Sequence, residues 1–120
     1  MGYCNMPDLD VGAICLNGTD VLITARSCGD ADVGSIEARV RFADGTHGTY
    51  DIGVCVFCLG RGTRLTCGML SDGDKVALNA LSEGVGMRPD DVLARLVSAS
   101  EAECDKSIRN SAPGFSVGAR

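Results

Sequence analysis

Across residues 36–42 apolar and polar side chains alternate, with Ile36, Ala38, Val40 and Phe42 on one face and Glu37, Arg39 and Arg41 on the other. A period of two is the mark of a half-buried strand. Asp44-Gly45 starts a turn, after which Tyr50, Ile52, Val54 and Val56 share one face of a returning strand. Residues 36–57 therefore predict an antiparallel hairpin. Upstream, apolar runs at 12–16 and 21–26 flank Asn17-Gly18-Thr19-Asp20. Asn-Gly favours a tight hairpin because both residues tolerate positive φ. Residues 1–12 show no periodicity and read as a loosely held arm, and residues 28–34 as a Gly/Asp loop. The first half is thus a β-meander.

The period changes in the second half. Gly60-Arg61-Gly62 breaks the strand pattern, and residues 63–70 are read as one more strand. Ser71 is a credible helix N-cap, with Asp72 and Asp74 in the first turn facing the positive helix end. Val76, Ala77, Leu78, Ala80 and Leu81 follow at helical spacing, to a stop at Gly84 or Gly86. Pro89 suits the first turn of a second helix, led by Asp90 and Asp91 and striped by Val92, Leu93, Leu96 and Val97. That helix is expected to run through Glu103, with a flexible polar tail from Asp105. The predicted class is α+β, an N-terminal antiparallel β-meander followed by a strand-helix-helix unit. Its segments are 1–62, 63–104 and 105–120.

Composition modifies this picture in three ways. Trp is absent and aromatics number three Phe and two Tyr, so the core must be built from aliphatic residues, Met and Cys. Aromatic side chains bury the most area each, and a homodimer is one way to make up the difference. The net charge of −5 weighs against nucleic-acid binding, although the local patch matters more than the sum. Seven cysteines, an odd number, rule out a fully paired disulfide framework. Residues 1–10 have neither a basic leader nor an apolar run, and no stretch has the length of a membrane span. A reducing, cytoplasmic setting and no membrane partner are the expectation.

The segment Arg64-Leu65-Thr66-Cys67-Gly68-Met69-Leu70-Ser71, followed by Leu78 and Leu81, Gly86-Met87, Asp91-Val92-Leu93 and Leu96-Val97, resembles the ribbon-helix-helix DNA-binding family. The resemblance covers about a third of the chain, roughly residues 63–100. It implies a homodimer whose paired strands enter the major groove, while the start of the second helix holds a phosphate. Carried onto this sequence, base contacts come from Arg64 and Thr66 with Arg61 nearby, and the phosphate contact from the amides near Met87 and Arg88. Period-two counting back from Leu70 places Thr66 inward, so this arrangement needs a bulge near Gly68. The role implied is a transcription regulator or an accessory protein of a plasmid or phage.

Other chemistry is thinner. Cys55-Val56-Phe57-Cys58 has C-x2-C spacing without a second knuckle, so no metal is expected. Were zinc bound, Cys55, Cys58, Cys67 and Cys28 would be its first candidates, with His47 an alternative fourth. His47 is the single histidine, and nothing places a cysteine beside it for nucleophilic catalysis. Gly84-Val85-Gly86 lacks the Lys and Ser/Thr of a phosphate loop. An enzyme is not expected, nor is a cofactor. Besides duplex DNA, the expected partner is another protein. The chain would then be a coat-like assembly protein of a virus or phage, whose strand-then-helix order it shares in layout, or a small acidic inhibitor of a nucleic-acid-binding protein.

Overall fold

The computed structural model describes residues 8–27, 34–56 and 64–110, the last four as backbone only. Four strands come first, β1 (Leu9–Leu16), β2 (Thr19–Arg26), β3 (Ser35–Arg41) and β4 (His47–Ile52). They form one antiparallel sheet in the order β1-β2-β3-β4. A short 3₁₀ turn at Cys67–Met69 leads into α1 (Asp72–Val85) and α2 (Pro89–Asn110). The α+β class and its order, an antiparallel meander and then two helices, are as the sequence predicts.

The local chemistry explains the joints. Asn17 and Gly18 both have positive φ, 53° and 84°, and turn β1 into β2 with Leu16 opposite Thr19. Ser71 caps α1, its hydroxyl accepting the Asp74 amide, and Gly86 ends the helix in the left-handed region at φ 74°. The core lies between the helices and one face of the sheet. Leu16, Val21, Ile23, Ala25, Ile36, Ala38, Val40 and Ile52 meet Leu78, Leu81, Val85, Val92, Leu93 and Leu96 there. α1 lies over β4, and α2 over β1 and β2. Ser82 and Ser100, both buried, donate to the carbonyls of Leu78 and Leu96 one turn back, so neither hydroxyl is left unmatched.

Four expectations need correction. Residues 9–12 are not part of a loose arm, because β1 begins at Leu9. A bulge at Gly12 (φ 96°) hides it from pattern reading, since the extra residue shifts the alternation by one. β4 stops at Ile52 rather than near residue 57. There the Val54 amide turns back to the Ile52 carbonyl at 2.7 Å, although Val54 and Val56 stay in the core.

The strand expected at 63–70 is absent from its described part. Residues 64–66 have no regular structure and Cys67–Met69 is a 3₁₀ turn, with Leu70 donating to the Cys67 carbonyl at 3.1 Å. The Asp90 carboxylate accepts the Cys67 amide at 2.8 Å, taking a donor that a strand ladder would need. Finally, α2 runs to Asn110, past the start expected for the tail.

Candidate functional site

The segment from Arg64 to Thr66 lies alongside the first three turns of α2, and the two enclose a groove of about 530 Å³. Leu65, Ala94 and Val97 supply its apolar lining, Thr66 and Ser98 its hydroxyls, and Arg64, Asp90, Asp91 and Glu101 its charges. Three carboxylates thus face one guanidinium. The segment is tied to the helix by the Cys67 amide and Asp90. Just outside, Arg88 donates to Asp91 at 3.1 Å. That hydrogen bond and the Asp91 charge hold the Arg88 pKa above its ordinary value.

The residues named for DNA contact divide between the groove and its mouth. Arg64 and Thr66 line it, and Arg88 and Met87 directly precede α2, Arg88 exposed and Met87 half-buried against the core. Arg61 lies outside the described residues. The expected phosphate site at the start of α2 carries Asp90 and Asp91 in its first turn. These carboxylates complement the helix dipole and oppose an incoming phosphate.

Of the four candidate zinc ligands, Cys28 and Cys58 lie outside the described residues. Cys55 and Cys67 are half-buried thiols. Among the described residues no three His, Cys, Asp or Glu side chains gather in a way that could hold a metal ion. His47 is exposed at the start of β4, opposite Arg41.

The sheet face turned away from the helices is the other broad surface. At one end Arg26 meets Glu37 at 3.0 Å and Asp8 at 3.5 Å. Toward the other end stand Leu22, Arg39, Thr49, Arg41 and His47, all exposed. Among the described residues the other exposed large apolar side chains are Met69 and Val76, beside and on α1. The pattern along the chain marked Asp90 and Asp91 only as helix-start residues and did not mark Glu101. Their joint placement depends on residues 64–66 lying on α2, a contact across more than twenty positions. No protein-family model matches the chain, and no curated protein or solved structure matches it at a significant level. Among the described residues no helix is long and apolar enough to cross a membrane.

Proposed function

We propose that this protein is a non-enzymatic interaction protein that receives a basic segment of a partner protein in the groove between residues 64–66 and α2. The single observation that carries the reading is the groove's composition, with Leu65, Ala94 and Val97 set among Asp90, Asp91 and Glu101, against Arg64 within it and Arg88 paired to Asp91 at its mouth. Carboxylates alternating with apolar side chains favour a lysine- or arginine-bearing segment with apolar residues between its charges as the complementary ligand. Such segments occur on proteins that bind nucleic acid, and covering one would make this acidic chain an inhibitor of that binding.

Fluorescence anisotropy with a labelled peptide of alternating Arg and Leu, and separately with labelled duplex DNA, tests the proposal. Saturable peptide binding is expected, weakened roughly tenfold by Asp91→Asn with Glu101→Gln. The charge-matched control Asp10→Asn with Asp20→Asn, on the sheet, is expected to leave it unchanged. Equal weakening by both pairs, or no binding, overturns the proposal.

A second reading, the DNA-binding regulator, draws on the presence of Arg64, Thr66 and Arg88 at one end of α2. It requires duplex affinity that falls steeply with added salt and is lost in Arg64→Ala with Arg88→Ala. Duplex binding that ignores both substitutions would eliminate it.

A further inference from the structure

A sheet of four strands in sequence order has two edges, and in this chain they are treated differently. β1 is blunted twice. The Gly12 bulge breaks its ladder, and the Arg95 guanidinium of α2 donates to the Cys15 carbonyl at 3.1 Å. Cys15 sits opposite Asp20, one position from the hydrogen-bonded Leu16–Thr19 pair that closes the tight turn, so its carbonyl belongs to the outer edge. Bulges and capping side chains are the usual protection of an edge against pairing with another chain.

β4 carries neither device. Its register with β3 runs unbroken from Arg41–His47 to Ile36–Ile52, and it contains no Pro, no Lys and no bulge. After Ile52 the described chain turns away from this edge. Gly34, just before β3, sits so close to Cys55 that a Cβ at Gly34 would collide with the Cys55 Cβ. Among the described residues β3 is the sole strand neighbour of β4.

The outward-facing groups can be assigned. The Phe42 amide donates to the Thr46 carbonyl at 2.8 Å, making 42–46 a hydrogen-bonded position. Alternation then gives Val40–Gly48, Ala38–Tyr50 and Ile36–Ile52 to the β3–β4 ladder. The amides and carbonyls of His47, Thr49 and Asp51 point away from the sheet.

We infer that a second copy of this chain pairs antiparallel along β4, with the two-fold axis at Thr49. The sequence of the strand is self-complementary about that residue. Thr49 would face its own copy, His47 would face Asp51 of the second copy, and Gly48 would face Tyr50. All three outward-facing residues take part in hydrogen-bonded pairs, which satisfies every free ladder group between His47 and Asp51. The imidazole and carboxylate meet on the outer face, where a hydrogen-bonding pair directly across a ladder is favourable and like charges are not. A register in which Asp51 met Asp51 would be repelled, so the charges select the register as well as the partner. The product is one continuous sheet of eight strands, with both helix pairs on one side. The pairing is independent of the groove on α2, so either proposal can fail alone.

Light scattering coupled to size exclusion across the micromolar range is the first measurement, with a dimer expected. Thr49→Pro removes an outward amide and places a ring on the edge, which a strand tolerates only where its N–H faces outward. It should give a monomer with an unchanged circular dichroism spectrum, while Thr49→Val stays dimeric. The register is tested by charge exchange. His47→Glu alone and Asp51→Lys alone should each raise the dissociation constant by roughly tenfold. Mixing the two variants should restore pairing as a heterodimer, because the carboxylate introduced on one copy then meets the ammonium introduced on the other. A monomeric wild type, a dimer that survives Thr49→Pro, or variants that mixing does not rescue would each overturn the inference. The exchange pair keeps the test decisive should Thr49→Pro fail to fold.

Discussion

The Asn17 side-chain amide donates to the carbonyl of Val85 at 2.8 Å, joining the β1–β2 turn to the last turn of α1 across 68 positions of sequence. One residue thereby serves two purposes. Its backbone occupies the left-handed region the turn requires, and its side chain satisfies a helix-end carbonyl that has no partner within the helix. Asn17→Gly keeps the first role and deletes the second. The expected loss is about 0.5–1.5 kcal/mol of unfolding free energy, the usual net worth of such a bond, read from urea unfolding. Asn17→Ala should lose more, because alanine also resists the positive φ.

Two glycines of α1 should respond to alanine in opposite directions. A Cβ at Gly84 would collide with the Phe42 ring, which is held edge-on to Tyr50. Displacing that ring should destabilise the fold by about 1–3 kcal/mol. At Gly73 a Cβ meets nothing within 4 Å, so Gly73→Ala should stabilise by about 0.4–1 kcal/mol through helix propensity and the unfolded chain. Thermal melts of both variants side by side check the contrast.

Ser71 holds the start of α1 through the Asp74 amide, at 3.2 Å, and its hydroxyl donates to the Asp74 carboxylate at 2.8 Å. Ser71→Ala should cost about 1 kcal/mol and Ser71→Gly a few tenths. Amide exchange across 72–75 should quicken in the alanine variant well before exchange in α2 changes.

Asp44 organises the β3–β4 turn by accepting from the Thr46 hydroxyl at 2.6 Å and the Thr46 amide at 3.0 Å. The hydroxyl bond first, and then the amide, lower its pKa. A depressed folded-state pKa gives a contribution that is complete above the unfolded-state value and disappears as pH falls through the folded one. The turn should therefore be unaffected near neutrality and loosen only in acid, below the ordinary aspartate range. Thr46→Val should move the Asp44 titration, followed by carboxyl NMR, back toward that range.

Where structure was local, the residues announced it. Asn17-Gly18, Ser71 with its two following aspartates, Gly86 and Pro89 mark joints whose conformations depend on a few neighbours, and Leu78 and Leu81 of α1 and the stripe of α2 face the core as their spacing predicts, whereas Val76 and Ala80 are exposed. What escaped depended on distant contacts. A strand-like stretch at 64–70 becomes a 3₁₀ turn because Asp90, more than twenty residues on, claims the Cys67 amide. The same contact makes the groove, so Arg64 and Thr66 could be singled out from sequence while the carboxylates opposite them could not be placed there. Continuation of α2 to Asn110 runs through a polar stretch whose composition gives no apolar signal for a helix.

The bulge at Gly12 also makes the length of β1 informative. Leu9 sits at an odd position and Ile14 and Leu16 at even ones, yet Leu9 faces Ala25 and Leu16 is buried on the same side of the sheet. Removing Val11 or Gly12 would make that separation even, so a regular strand would still turn Leu9 inward and keep Asp10 on the outer face. Shortening this stretch by one should therefore keep the core face of β1 and straighten its edge, removing one of the two features that blunt it.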